Sequence, residues 1–183
     1  MSTERARLLD LLRVRSFARK RVVLASGRES DFFIDCKQTV LTAEGHALAG
    51  SLMFEALQKY TPVAVAGVEL GGCPLASAVA LISFQRSAPL DALYVRKDAK
   101  DHGSRREIEG DTHLARGARV ALVEDVITTG GSTLKAVEKL RTAGYEITGV
   151  VALVDRLEGG AEAITAAHVP LTSLYTRRDF MPD

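Results

Sequence analysis

The feature that most constrains the fold is an alternation of apolar, strand-like stretches with helix-like stretches between residues 63 and 175. The predicted strands are 63–68, 91–96, 119–124, 146–155 and 171–175, and the predicted helices between them are 74–85, 132–143 and 161–167. These strands are apolar on consecutive residues, which is typical of strands covered on both faces. The pattern therefore predicts an α/β fold with a mainly parallel central sheet and helices on both faces.

The first 60 residues do not follow this alternation. The N-terminus predicts a helix, 21–42 predict two short strands around a turn at Ser26–Gly27, and 43–60 predict a second helix that Pro62 ends. The apolar stripe of the first helix would consist of Leu8, Leu9, Leu11, Leu12 and Val14. At 183 residues, the chain is predicted to be one domain, 1–183, with an N-terminal helix and hood at about 1–42 and a core at 43–183.

Composition and charge exclude several classes of protein. The net charge of +1 argues against a general nucleic-acid binder, and the basic residues among 1–21 indicate a solvated helix face more than a nucleic-acid surface. No apolar run is long enough to cross a bilayer and the N-terminus has no signal peptide core, so a cytoplasmic location is expected. Cys36 and Cys73 lack metal-ligand spacing and are predicted to be reduced, buried thiols.

The stretch from Val120 to Leu140 has the pattern of a phosphate pocket. An apolar strand runs through two acids, Glu124 and Asp125, into a turn rich in threonine, glycine and serine that opens a helix. Such a turn presents free backbone N–H groups and the positive end of a helix dipole to an anion. The two acids could accept hydrogen bonds from paired hydroxyls or face a cation. A ligand with both a phosphate and a sugar would satisfy the two halves.

This stretch matches neither the P-loop of nucleotide triphosphatases nor the dinucleotide-binding Gly-x-Gly-x-x-Gly spacing. Over its full length it resembles the ribose-phosphate motif of the type I phosphoribosyltransferases, which use 5-phosphoribosyl 1-pyrophosphate (PRPP) as donor. The alternative is an ordinary strand-turn-helix connection with a glycine-rich turn.

A second candidate is the polar segment that follows the strand 91–96. It contains Arg96, Lys97, Lys100 and His102, which could meet a polyanion, and a loop can bring such groups over a site after substrate has entered. The alternative is a solvated loop, since acids in the same segment partly cancel the charge. The string Arg-Lys-x-x-Lys-x-His-Gly resembles the mobile catalytic loop, here 97–110, of the orotate phosphoribosyltransferase family.

Three shorter segments resemble the same family in the same order. Residues 26–35 resemble its N-terminal segment, in which Phe33 would stack on the orotate ring. Residues 67–76 resemble its pyrophosphate loop, where Gly71 and Gly72 permit close approach by an anion. Arg156, at the end of the strand 146–155, would pair with the orotate carboxylate. Taken singly, each has a plainer alternative: a core aromatic residue, a strand-to-helix turn and a surface arginine.

The resemblance implies transfer of ribose 5-phosphate from PRPP to N1 of orotate, which gives orotidine 5'-monophosphate and pyrophosphate in de novo pyrimidine synthesis. It implies Mg²⁺ as cofactor, held mainly by PRPP with Asp125 as a possible protein ligand, and a homodimer whose loop 97–110 is shared between subunits. The catalytic residues would be Lys100, His102 and Asp125, and Thr128 would join Phe33 and Arg156 at the orotate. PRPP would contact Gly71, Gly72, Arg96, Lys97, Lys100, His102, Glu124, Asp125, Val126, Ile127, Thr128, Thr129, Gly130, Gly131 and Ser132.

The chain departs from the family at two positions. Some members have a lysine immediately before the Ser-Gly-Arg string and another in the pyrophosphate loop, where this chain has Ala25 and Gly71. Both differences remove positive charge from the donor site. Arg96, Lys97, Lys100 and a divalent cation would then neutralise more of the pyrophosphate.

Two other functions are compatible with parts of the sequence. A purine or uracil phosphoribosyltransferase would share the phosphate turn but not the string 96–103 or Phe33, so a panel of bases would distinguish it. A regulator that senses PRPP and binds nucleic acid would use the basic N-terminus, and its affinity would fall steeply with salt.

Overall fold

The computed structural model describes residues 2–23, 29–97 and 106–181, excluding the side chains at positions 22, 23 and 29. The strands are β1 (Phe17–Val23), β2 (Glu29–Ile34), β3 (Ala64–Val68), β4 (Asp91–Val95), β5 (Ile108–Glu109), β6 (Arg119–Ile127), β7 (Glu146–Asp155) and β8 (Leu171–Thr176). The helices are α1 (Thr3–Arg15), α2 (Lys37–Val40), α3 (Ala43–Leu57), α4 (Gly72–Gln85), α5 (Gly131–Thr142), α6 (Gly160–Ala166) and α7 (Arg177–Phe180), and a 3₁₀ turn at Gln58–Tyr60 extends α3.

Six of these strands form the central sheet, in the order β5-β4-β3-β6-β7-β8. The pairs β4–β3, β3–β6, β6–β7 and β7–β8 are parallel, and only the short edge strand β5 runs antiparallel to its neighbour β4. The predicted mainly parallel sheet is therefore confirmed. In such a sheet the loops that leave the carboxyl ends of the strands meet at one edge, and ligands bind there.

The sheet is covered on both faces, as the sequence predicts. Successive residues of β6 point to opposite sides: Ala121 and Val123 pack in one buried cluster with α3 and α4, and Val120 and Leu122 pack in the other with α5 and α6. The inner strands β3, β6 and β7 are mostly buried on consecutive residues because both of their faces are covered, whereas β4 and β8 are only partly buried. No helix in the described ranges is long and apolar enough to span a bilayer.

The N-terminal hood consists of the antiparallel pair β1–β2 beside α1. Phe32 on β2 is fully buried among aromatic rings, with its ring centroid 5.1 Å from that of Phe17 and 5.8 Å from that of Phe180. The hood is thus packed on the C-terminal end of the chain. It agrees with the predicted pair of strands, whose connecting turn at Ser26–Gly27 lies outside the described residues.

Three details of the prediction were wrong. Val14 is 83% exposed and does not belong to the apolar stripe of α1, which consists of the four leucines. The polar segment after residue 97 contains β5, which is only two residues long and forms by pairing with β4. The one-turn helices α2 and α7 are also unpredicted, because a single turn is too short to show helical periodicity.

Candidate active site

The predicted phosphate turn lies at the carboxyl edge of the sheet, between the end of β6 at Ile127 and the start of α5 at Gly131. Gly130 adopts a left-handed conformation with φ of 80°, and a Cβ atom there would lie 3.1 Å from the carbonyl oxygen of Gly160. Thr129 and Ser132 are exposed. The first N–H groups of α5 have no partner within the helix, so the turn presents donors and the positive end of the helix dipole to solvent.

The two acids lie side by side near the end of β6. Glu124 is buried, and its Oε2 accepts a hydrogen bond of 3.2 Å from the Thr133 hydroxyl on α5. Burial, and then the charge of Asp125, raises the pKa of Glu124 to about 8. Burial also raises the pKa of Asp125, although the nearby ammonium of Lys37 opposes this. The pair would therefore be stabilised in its ionised form by a ligand that supplies hydroxyl donors or positive charge.

The predicted pyrophosphate loop contacts this acid pair through glycine. A Cβ atom on Gly71 would lie 2.1 Å from Oδ2 of Asp125, so only glycine leaves room for the carboxyl group in its present position. Gly72 begins α4 directly afterwards, and the Glu69–Leu70 peptide bond just before is cis. The structure thus brings Gly71 and Asp125 together, from the ends of two adjacent strands.

A cleft of about 460 Å³ joins the phosphate turn to the beginning of the cationic segment. Gly131 and Ser132 line one side of it, and Arg96 and Lys97 line the other. The backbone N–H of Lys97 donates to a carboxylate oxygen of Glu69 at 2.9 Å, which holds this segment near the pyrophosphate loop. Two groups of predicted PRPP-binding residues therefore share one cleft.

Two further lysines of the same cleft, Lys135 and Lys139, were not predicted from the sequence. They follow Gly131 at intervals of four residues, which places them on the same face of α5 as the start of the turn. That spacing was visible in the sequence and could have identified both residues. No carboxylate in the described ranges forms a salt bridge with Lys135, whereas Lys139 has several partners.

The predicted base-binding residues lie at the hood. Phe33 is only partly buried, facing away from its fully buried neighbour Phe32, and the ammonium of Lys20 lies 3.8 Å from the centre of the Phe33 ring. Phe33 thus occupies an accessible position rather than the core position of the plainer alternative.

Arg156 is 8% exposed, so the alternative of a surface arginine was wrong. Its Nη2 donates to the carbonyl oxygen of Phe32 at 3.0 Å and forms an ion pair with Glu158 at 2.9 Å. Its Nε is buried and has no hydrogen-bond partner in the described part of the chain. Arg156 therefore connects the end of β7 to the hood and keeps one buried donor unsatisfied.

The remaining predicted residues cannot be placed in this geometry. Lys100 and His102, together with Ala25 and the string Ser26–Arg28, lie outside the described residues. Their roles stay predictions from the sequence.

Comparison with known proteins agrees with this geometry. Residues 39–169 match the family model of the phosphoribosyl transferase domain. The chain therefore belongs to the phosphoribosyltransferase family, whose fold the sheet order and the phosphate turn also indicate.

Relatives narrow the assignment further. The chain is 73% identical over 183 residues to an orotate phosphoribosyltransferase of Sorangium cellulosum (strain So ce56), covering 100% of this chain and 95% of that protein. Crystal structures of the Mycobacterium tuberculosis H37Rv orotate phosphoribosyltransferase superpose with TM-scores of 0.82 and 0.80, at 40% and 37% identity. The first is a complex with Fe(III) dicitrate, and its match covers 97% of this chain and 99% of that one. The second is a complex with PRPP, and its match covers 97% of this chain and 98% of that one. Within the phosphoribosyltransferases, the chain belongs to the orotate phosphoribosyltransferases.

Proposed function

We propose that this chain transfers ribose 5-phosphate from PRPP to N1 of orotate, releasing pyrophosphate and forming orotidine 5'-monophosphate in de novo synthesis of UMP. The observation that carries this proposal is the single cleft in which the phosphate turn at Gly131 and Ser132 faces Arg96 and Lys97. One side of this cleft suits a monophosphate and the other a pyrophosphate, which are the two anionic ends of PRPP. The relatives of the chain supply orotate as the acceptor.

The 5-phosphate would bind at residues 128–132, where the start of α5 offers backbone donors and Thr128, Thr129 and Ser132 offer hydroxyls. The pyrophosphate would lie between Gly71–Gly72 and the cations Arg96 and Lys97. In this arrangement the C1–O bond that breaks lies between the two anion sites. Cations fixed beside the leaving group stabilise the negative charge that develops on it.

The acid pair would bind the ribose. Glu124 and Asp125 can accept hydrogen bonds from two neighbouring hydroxyls, and their negative charge favours a sugar that becomes cationic as the C1–O bond breaks. Lys100 and His102 would act at the pyrophosphate, Lys100 as a cation and His102 as a hydrogen-bond donor or proton carrier. These two assignments come from the sequence alone.

Magnesium suits this acid pair. In the described ranges no group of three or more histidine, cysteine, aspartate or glutamate side chains could hold a metal ion. Mg²⁺ often binds through one or two carboxylates together with substrate phosphates, and Asp125 is a carboxylate whose raised pKa a cation would lower again. We infer that PRPP would hold most of the coordination of Mg²⁺ and Asp125 would add a protein ligand, and that the ion would supply charge stabilisation to the leaving pyrophosphate.

Orotate would lie between the hood and the end of β7. Phe33 offers a partly exposed ring on which the pyrimidine can stack, and Thr128 can meet its edge. Arg156 would pair with the orotate carboxylate, and its Nε is a donor with no hydrogen-bond partner in the described part of the chain.

We also infer that the active form is a homodimer. Three large apolar side chains are exposed on one part of the surface. Leu81 and Phe84 lie on α4 and are 55% and 74% exposed, and Leu41, just before α3, is 67% exposed. Leu41 and Leu81 also line one apolar groove. An exposed apolar patch of this kind is typical of an interface between subunits. From the sequence alone we also propose a cytoplasmic location and a single domain over 1–183.

The decisive assay measures consumption of orotate together with release of pyrophosphate, with and without PRPP and Mg²⁺. We expect turnover only when all three are present. A parallel panel with uracil and purine bases in place of orotate should give no turnover. Loss of orotate-dependent pyrophosphate release, or turnover with a purine instead, would contradict the proposal.

A further inference from the structure

We propose that Lys139 is a positioning residue for this reaction, and the proposal rests on the function proposed above. Its ammonium group fixes where Arg96 and Lys97 stand relative to the phosphate turn. The contacts of its ammonium group are with protein oxygens, two of them on Arg96 and Lys97, so its effect would pass through those two residues.

The contacts of Lys139 are unusual for a lysine on a helix. Its Nζ donates to the carbonyl oxygens of Arg96 at 2.9 Å and Lys97 at 3.1 Å, and it forms an ion pair with Glu107 at 3.0 Å. Its side chain is only 19% exposed. Because an ammonium group has three N–H donors, these three acceptors use its whole capacity.

The acceptors come from the two ends of the connection between β4 and β5. Arg96 and Lys97 follow the end of β4, whereas Glu107 immediately precedes β5. The two ends also meet directly, since the N–H of Arg96 donates to the carbonyl oxygen of Glu107 at 2.8 Å. Lys139 therefore ties both ends of the segment to a single point on α5.

The same helix carries the phosphate turn at its other end. Gly131 and Lys139 are eight residues apart on one face of α5, so the helix acts as a spacer of roughly 12 Å between the turn and the two ends of that connection. Because an α-helix is stiff over this length, the tie sets the distance between the site for the 5-phosphate and the cations proposed for the pyrophosphate. A donor that spans both sites needs that distance to be correct.

A contact of this kind should affect the rate more than the stability. A partly exposed ion pair contributes little to folding, whereas a misplacement of about 1 Å can slow a reaction by roughly a hundredfold. Lys139 differs in this respect from a lysine that only stabilises the fold.

The test compares Lys139→Met, which keeps the length of the side chain without the charge, with Lys139→Arg, which keeps charge and donors. Arg141→Met is the matched control, because it removes an exposed cation from the same helix. We expect Lys139→Met to lower kcat by about tenfold or more, with KM for orotate within about twofold and a small change in melting temperature. Lys139→Arg should regain a large part of the loss, and Arg141→Met should match the wild type.

A milder variant, Glu107→Gln, removes only the ion pair and should lower kcat in the same direction by a smaller factor. Amide hydrogen exchange gives a readout that needs no turnover: the N–H of Arg96 should exchange faster in Lys139→Met than in the wild type. If the wild type is active and Lys139→Met has an unchanged kcat, the positioning role is overturned while the proposed function stands. If the wild type does not use orotate, the proposed function fails. Independently of activity, an unchanged exchange rate at the N–H of Arg96 in Lys139→Met would show that Lys139 does not hold this segment in place.

Discussion

At the scale of single residues, the proposed donor site depends on an acid pair held in surroundings that oppose its charge. Glu124 is almost fully buried, and Asp125 sits beside a glycine that leaves room for no other side chain. Such groups are costly to keep charged without a partner, and perturbed carboxyls of this kind concentrate at functional sites. Two consequences can be measured.

The first concerns Gly71. A methyl group at this position would overlap the carboxyl group of Asp125, and because that carboxyl is the end of a flexible side chain, it would be displaced. We expect Gly71→Ala to lower kcat/KM for PRPP by about tenfold, since small displacements of catalytic groups are expensive. Steady-state kinetics on a variant with an unchanged melting temperature would show this.

The control is a double-mutant cycle with Asp125→Ala. If Gly71→Ala acts through Asp125, the double variant should be no slower than Asp125→Ala alone. Full additivity of the two effects would place the action of the methyl group elsewhere.

The second concerns the protonation of Glu124. The pKa of Glu124 in the folded protein, about 8, lies above its ordinary value of 4.5. Between these two pH values the folded state therefore keeps a proton on Glu124 that the unfolded state has lost. This contribution to stability is complete below about pH 4.5, decreases as the pH rises, and is lost above about pH 8. In the absence of substrate, the melting temperature of the wild type should therefore fall relative to that of Glu124→Gln between about pH 5 and about pH 8.

Glu138→Gln, an exposed position on α5, serves as the comparison and should follow the wild-type curve. Parallel curves for the wild type and Glu124→Gln across this range would mean that Glu124 is already ionised in the folded protein.

At the scale of elements, the hood is joined to the core by two arginines that reach β2 from the C-terminal part of the chain. Arg156 donates to the carbonyl oxygen of Phe32, and Arg177 forms an ion pair of 2.7 Å with Asp31. The guanidinium groups of both arginines also lie over the ring of Phe32, at 5.4 Å and 5.7 Å. Since Phe33 is the next residue on β2, these contacts hold in place the stretch of backbone that carries its ring.

Removal of the second arginine should therefore affect the base more than the donor. We expect Arg177→Met to raise KM for orotate by about two- to fivefold, the range set by a partly exposed ion pair, with KM for PRPP unchanged. Arg7→Met is a fair control, because it breaks an exposed ion pair between α1 and Glu44 at the start of α3. Equal changes in both KM values would indicate a general loss of order instead of a displaced hood.

The sequence could predict the longer strands and the phosphate turn, but not the shortest strand. The strands β3, β4, β6, β7 and β8 were predictable because each contains a run rich in apolar or β-branched residues, and their parallel order follows from the helices between them. The phosphate turn was predictable because its residues are contiguous. The edge strand β5 was not, since two residues carry no periodicity and form a strand only where β4 offers a partner.

Contacts between distant segments were equally hidden. That Gly71 borders Asp125 and that Lys139 meets Arg96, Lys97 and Glu107 depends on how the strands are ordered in space. Arg156 illustrates the limit well: the sequence placed it at the end of a strand but gave no sign that the hood would bury it.

At the scale of the whole molecule, the proposed dimer should depend on the apolar surface near α4. A charged residue at its most exposed position should prevent a second copy from covering it, because burial of an unpaired charge costs several kcal/mol. We expect Phe84→Glu to convert the protein from dimer to monomer in sedimentation at micromolar concentration. Val14→Glu changes an apolar residue on α1 that is even more exposed, and this variant should remain dimeric. A dimeric Phe84→Glu would place the interface elsewhere.

The dimer also gives a test of whether the two subunits share one site. If the segment that carries Lys100 acts on the neighbouring subunit, a chain with Lys100→Ala and a chain with Asp125→Ala can form one complete site between them. Each variant alone should be slower than the wild type, by about 10²- to 10³-fold for Lys100→Ala. After the two are mixed and exchange subunits, activity should rise toward about a quarter of the wild-type value, since half of the dimers are mixed and each has one complete site. The same mixture with Phe84→Glu in both chains should show no rescue, because monomers cannot combine their residues. Absence of rescue in a mixture proven to contain mixed dimers would mean that each subunit completes its own site.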